Sequence, residues 1–309
     1  MAAKTDRIVT PAPRVVDRRR ADHAARWLHR NAAWIFPAPA IIAIVLLVAF
    51  PLGYTLYLSF THWFLSAIST PQFIGVNNYR QLLGNERFRS DLLQTFFFAA
   101  LAVMVEMLAG FALALLFNRD FKGRGLLRTF MLLPMMSTPI AVSLVWALMY
   151  EPTLGVFNYM IGRLGLPPLL FLADSHLVIP SLVVVDVWFS TPFVMLILLA
   201  GLSSLPGEPY EAAVVDGASP WQLLRYLTLP LLRPTIIVTL LFRTISALQV
   251  FDQIYALTGG GPNRASETVN LLGWFQLIEN NDMGYASTIM VVLFVIVFAA
   301  TLLLLRVRR

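Results

Sequence analysis

Four ionisable residues lie inside long apolar stretches: Glu106, Asp186, Arg243 and Asp252. Such groups are costly in hydrocarbon and usually face a cavity or one another. At about 1.5 Å of rise per residue, Glu106 lies roughly 21 Å in from Leu92, Asp186 roughly 13 Å from Leu177, and Arg243 roughly 18 Å from Leu231. All three therefore fall near mid-membrane, where Arg243 can pair with Asp186 or Glu106. Two readings follow, a buried ion pair that fixes helix register or the polar lining of a cavity. Gln249 and Asp252 are three residues apart and are expected to share a helix face. Tyr255, three further on, adds an aromatic ring to that face. These groups lack a partnered nucleophile, base or metal cluster, so no catalytic site is expected. The four histidines (His23, His29, His62, His176) are scattered without metal-ligand spacing, and the absence of cysteine excludes disulfides and thiolate chemistry.

The surrounding sequence is that of a polytopic membrane protein. Of 309 residues, 58% are hydrophobic and only 13% charged, with a mean hydropathy of +0.72, against about 25% charged in soluble domains. A spanning helix needs about 20 mainly apolar residues. Six stretches qualify, at about 34–60, 92–117, 127–150, 177–204, 231–257 and 285–305. Assigning alternate connections to the cytoplasm puts seventeen Lys/Arg on that side and five on the other, with Arg243 inside a span. Lys/Arg excess marks cytoplasmic loops, so both termini are expected in the cytoplasm. The fold expected is all-α with six transmembrane helices. Residues 1–33 form a basic tail, flexible at first, with a possible interfacial helix near Val16–Arg30 on the inner leaflet and Trp27 and Trp34 at the interface; residues 34–309 form the membrane domain. The first span is too long for a signal-peptide core and lacks a small-residue cleavage site, so it reads as retained. The short connection between the first two spans leaves no room for a large external domain. The +6 charge follows this topology and needs no nucleic acid.

One connection, residues 205–230, is too polar and broken to cross a membrane. Its core reads EAAVVDGASPWQLLRYLTLP from Glu211 to Pro230. Pro209 suits a first helical turn, and Gly217 can take a positive φ and end the helix over 210–215. Ser219-Pro220-Trp221-Gln222 reads as a capping box with proline at the first helical position, opening a second helix. The expected shape is a protruding knuckle of two short helices. Ala212 and Ala213 leave little bulk, so another protein can approach the backbone.

Glu211-Ala212-Ala213, three residues, Gly217, nine residues, Leu227, then Leu229-Pro230 resembles the coupling loop of ABC-importer permeases. Leu227 replaces the usual isoleucine. Further stretches resemble the carbohydrate-uptake group of that family: Phe73 to Tyr79, Arg124-Gly125, Arg128-Thr129, Leu133-Pro134, Trp188, Pro192-Phe193, Ala200-Gly201-Leu202, Leu205-Pro206, and Phe251 to Tyr255 followed by Leu257 to Pro262. The likeness runs from about residue 34 to the C-terminus and is nearest to maltose, trehalose and glycerol-phosphate first permeases.

The resemblance implies a type I importer permease in the bacterial cytoplasmic membrane. It would work with a second permease, two ATPase subunits, an external binding protein and membrane lipids. Glu211, Ala212, Ala213, Asp216, Gly217, Leu229 and Pro230 would couple to an ATPase, with the glutamate pairing to a basic residue there. ATP and Mg would belong to that partner. This chain has no GxxxxGK[ST] loop and is expected to bind no cofactor, metal or nucleotide, and Gly259-Gly260-Gly261 reads as an external turn. Glu106, Asp186, Arg243, Gln249, Asp252 and Tyr255 would line the sugar path or form a buried ion pair. The solute expected is a di- or oligosaccharide. A phosphorylated glycerol compound is the alternative, with Arg243 as anion contact, and an ion-coupled secondary transporter is a competing class.

Overall fold

The computed structural model describes Trp34 and residues 36–65 and 70–307. The basic tail of residues 1–33, with its expected interfacial helix, lies outside the described residues. Two bodies are distinguished, Met1–Tyr54 and Thr55–Arg309. The first contributes, among its described residues, the start of helix α1 (Ala38–Leu58), long and apolar enough to cross a membrane.

In the second body, two short strands, β1 (Thr61–His62) and β2 (Gln72–Phe73), pair antiparallel. Helix α2 (Asn77–Gly84) follows, and its Asn78 amide donates to the carbonyls of Ser59 and Thr61. Helix α3 runs from Glu86 to Phe117, 32 residues, or about 48 Å at the α-helical rise. It begins six residues before the expected span because Asn85 caps it, accepting from the Arg87 amide.

The third span is not one helix. Helices α4 (Arg124–Met136) and α5 (Pro139–Met149) meet at 97°. The expectation of a continuous span over 127–150 is corrected by two prolines acting together. Pro139 forces the preceding Thr138 into extended backbone (φ −76°, ψ 139°), and Pro134 removes an amide donor from the last turn of α4. Neither helix alone reaches the roughly 30 Å of a hydrocarbon core. Pro192 sits inside the unbroken helix α7 (Val178–Ser203), and Pro180 falls in that helix's first turn. A single proline there is absorbed by packing.

Between them lies α6 (Val156–Arg163), reached through a tight turn at Glu151. The Glu151 carboxylate accepts from the Leu154 amide, the Thr153 hydroxyl (2.7 Å) and the Thr153 amide (2.8 Å). These bonds, the Leu154 amide foremost, hold its carboxyl below the ordinary range. A depressed folded-state pKa orders the turn above the ordinary glutamate value and loses that effect as pH falls through the depressed value. Glu151→Gln is therefore expected to speed amide exchange at Thr153 and Leu154 near neutral pH. In acid, wild type and variant should converge.

After α8 (Glu208–Val215), helix α9 runs without interruption from Pro220 to Leu248, 29 residues including a π-helical stretch. The span expected to continue to Leu257 instead stops at Leu248, and α10 (Asp252–Leu257) begins after an irregular break at Phe251 (φ −139°, ψ −61°). Helix α11 (Val269–Ile278), too short to register as a span, precedes α12 (Met283–Val307). By length and composition the described residues hold five spanning helices, or six counting the bent pair as one.

The core sits chiefly between α3 and α7. They pack closely at Gly110, where a Cβ would meet Val194 side-chain carbons at 2.5 and 2.7 Å. Phe98, Leu182, Ile254 and Leu271 fill one buried cluster. Ala99, Leu248, Leu272 and Ile289 fill another, and Val194, Met195, Leu198 and Leu232 a third.

Candidate functional site

Two sites emerge, one at the α8–α9 turn and one among α3, α7 and α9. At the turn, α8 ends at Asp216 and the chain reverses through Gly217, whose φ is +81°. A side chain strains that conformation, which is why glycine serves here. Ser219 then caps α9 with both arms of a capping box. Its amide donates to Gln222 Oε1 (2.7 Å), and its Oγ accepts from the Gln222 amide (3.4 Å). Because α9 continues into the membrane, the expected second short helix is corrected. One end of a 29-residue helix forms half of the knuckle.

The tie back across the turn is polar: Tyr210 Oη donates to Thr228 Oγ1 (3.1 Å), which donates to the Leu223 carbonyl (3.2 Å). The outer surface is apolar. Val215 is 87% exposed, and Val214, Trp221 and Tyr226 are also open. Beside them Ala213, Asp216, Gly217, Ala218, Gln222 and Tyr226 border a groove of about 360 Å³. Glu211 and Ala212 are exposed on α8, while Leu229 is half-buried and Pro230 exposed in α9.

Inside the membrane, Arg243 joins both carboxylates. Its Nε donates to Glu106 Oε2 at 2.6 Å and its Nη2 to Glu106 Oε1 at 2.9 Å, a bidentate pairing, and Nη2 also donates to Asp186 Oδ2 at 3.1 Å. All three are buried. Ser190, one turn beyond Asp186, donates to its Oδ1 at 3.3 Å. One guanidinium thus clamps three long helices. The geometry is that of an ion cluster fixing register.

Gln249, Asp252 and Tyr255 do not share a helix face. Gln249 closes α9, and Asp252 opens α10 after a break whose Phe251 φ is −139°. Tyr255 does form an aromatic surface: Phe251 stacks on it at 5.4 Å, and Trp274 of α11 meets it at 4.7 Å. Asn270 Nδ2 donates to the Gln249 carbonyl (2.8 Å), tying α11 to the break. Phe251, Asn270 and Trp274 border a cavity of about 390 Å³ with Thr55 and Ser287. Asn270 and Trp274 escaped the sequence reading. Trp274 in a short apolar helix just beyond a glycine-rich turn was the signal available.

In that turn the backbone amides point at Thr258. The Gly260 amide donates to Thr258 Oγ1 (3.2 Å) and the Gly261 amide to the Thr258 carbonyl (2.9 Å). Among the described residues, no group of three or more His, Cys, Asp or Glu could hold a metal.

A multi-helix membrane domain with a capped, protruding turn before its fifth span defines a class, and comparison with known proteins identifies it. Residues 106–308 match the family described as "binding-protein-dependent transport system inner membrane component", and this chain belongs to that family. It is a multi-pass inner-membrane permease subunit of the ABC-transporter type. Among its relatives is the trehalose/maltose transport system permease protein MalF of Thermococcus litoralis, 38% identical over 284 residues, covering 92% of this chain and 96% of that protein. The trehalose transport system permease protein SugA of Mycobacterium tuberculosis is 37% identical over 273 residues, covering 87% and 86%. A chain from the crystal structure of a bacterial alginate ABC transporter, in complex with alginate pentasaccharide-bound periplasmic protein, matches with a TM-score of 0.79. It is 22% identical, and the match covers 90% of this chain and 94% of that one. At that identity the likeness shows the shared fold.

Proposed function

We propose that this chain is one permease of an ATP-driven, binding-protein-dependent importer of a carbohydrate, a di- or oligosaccharide of the trehalose or maltose type. The observation that carries the solute class is the likeness, over most of the chain, to permeases named for trehalose and maltose transport. An external binding protein delivers the sugar to this chain and a second permease, and two ATPase subunits supply ATP and Mg chemistry. The Glu211–Pro230 turn receives their motion. Its exposed Val214, Val215, Trp221 and Tyr226 suit insertion into a groove on an ATPase subunit, with Glu211 at the rim. The Lys/Arg distribution supports placing this turn and both termini in the cytoplasm.

Closure of the ATPases on ATP pushes the turn, and α9 carries that motion into the membrane. The Phe251–Tyr255–Trp274 surface offers aromatic faces to the apolar side of a sugar ring. Gln249 and Asp252, both exposed beside it, offer hydrogen bonds to hydroxyls. A phosphorylated solute fits less well because Arg243 is already committed to Glu106 and Asp186. A ligand screen on the cognate binding protein tests the solute class. Binding of trehalose or maltose supports it, whereas selective binding of a glycerol phosphate overturns it.

A further inference from the structure

The 97° elbow between α4 and α5 borders a groove that the transport reading does not use. The groove lies against α3 and α7 and has a volume of about 750 Å³. Its α3 wall runs from Leu101 through Val105 and Ala109 to Leu113, about 18 Å at the helical rise. One leaflet of a roughly 30 Å hydrocarbon core is about 15 Å deep. The groove is thus about as long as a lipid tail in one leaflet.

The wall is almost wholly apolar. Thr191 contributes the one hydroxyl among the lining side chains, and its oxygen is buried in the protein. A sugar would lose its hydrogen bonds to water on such a surface without replacing them, which is costly. Phe130, Leu133 and Val184 in the wall are exposed, so a lipid tail can enter from outside the bundle.

Charge at one end selects the kind of apolar molecule. Helix α3 ends at Phe117, four residues past Leu113, and residues 118–123 join it to α4. Arg128 and Met131 are three apart on α4 and share a face, and Met131 lines the groove. Arg128 therefore stands one turn beyond the groove, toward the start of α4. Its side chain is partly buried, and its Nε is buried without a hydrogen-bond partner. Close by in the chain are Arg119, Lys122 and Arg124, with Asp120 as the one acid. Asp120 is taken by Arg124 at 2.8 Å. Among the described residues, Arg119, Lys122 and Arg128 form no ion pair. An apolar slot one leaflet deep, with unpaired cations at its mouth, complements a hydrocarbon tail with an anionic head. A helix of another subunit would fill the slot without answering those charges.

We propose that this groove holds an acyl chain of an anionic phospholipid, whose phosphate faces Arg128 and the basic connection before α4. The inference needs neither the sugar assignment nor the ATP coupling.

The test uses the whole transporter in lipid nanodiscs, with photoreactive phosphatidylglycerol as probe. Phosphatidylcholine with identical, equally photoreactive chains is the control, and labelled residues are read by mass spectrometry. Phosphatidylglycerol should label the groove segments of α3, α4 and α7 saturably and well above phosphatidylcholine. Arg128→Gln should cut that labelling about fivefold, the scale for one basic residue facing anionic lipid. Val184→Trp, which fills the groove from an exposed position, should abolish groove labelling by either probe. Arg128→Gln serves if Val184→Trp fails to fold. Equal labelling by the two lipids, or labelling unmoved in a folded Arg128→Gln, would show that the head group is not recognised and overturn the proposal. A groove that takes no lipid label but cross-links to another subunit would overturn it as well.

Discussion

Replacing Arg243 with methionine is expected to cost about 3–5 kcal/mol, the scale for removing one partner of a buried ion pair. The reason is specific to this cluster. Arg243 alone answers two carboxylates, Glu106 and Asp186, on two other helices. Its loss leaves both carboxyl groups buried without their shared cation, with Ser190 as the remaining donor to Asp186. Removing one carboxylate has the opposite character. Glu106→Gln or Asp186→Asn leaves a matched pair of charges and should be distinctly milder. The variant with all three changes removes every charge and should recover much of the stability lost in Arg243→Met, since buried ion clusters often exchange for neutral groups at little cost. The unfolding midpoint of the purified chain reads all four variants. Equal tolerance of Arg243→Met and Glu106→Gln would mean that the cluster does not hold the helices.

The second large effect is expected at the protruding turn and concerns transport rather than stability. Gly217 is exposed at φ +81°, and a Cβ there meets nothing within 4 Å. A side chain is excluded by backbone strain and not by crowding. Valine forced into the left-handed region costs roughly 1–2 kcal/mol, and proline, fixed near −65°, cannot occupy it at all. The direction of α8 relative to α9 must then change. Membrane insertion should survive, because the spans do not depend on this turn, while ATP-driven uptake falls to background. Glu211→Ala, exposed and outside any described ion pair, should insert normally with weakened ATPase binding. Normal uptake by both Gly217→Pro and Glu211→Ala would remove the proposed role of the turn.

Short-range chemistry made this turn legible in the sequence. Pro209, Gly217 and the Ser219–Gln222 pair each dictate backbone within a few residues, and the structure shows each local form. The ion cluster was legible to the extent that three mid-membrane charges need partners. That one arginine satisfies both carboxylates depends on the rotation of three helices about their axes, which no local signal encodes. The end of α9 at Leu248 was hidden for a different reason. Leu248-Gln249-Val250-Phe251 contains neither glycine nor proline, and packing of α10 and α11 overrides helix propensity there. The elbow at Ser137–Thr138 was half visible: its prolines were plain, but Pro192 shows that a proline in a span need not break it.

The central claim is that ATP hydrolysis by partner subunits, transmitted through the Glu211–Pro230 turn, drives solute import through this chain. Its most direct measurement is sugar accumulation in membrane vesicles containing the assembled transporter, with ATP and the ion gradients varied separately. Uptake should stop when ATP is withdrawn and persist when proton and sodium gradients are collapsed. Accumulation that survives loss of ATP but disappears with the ion gradient would contradict the account and identify an ion-coupled carrier instead.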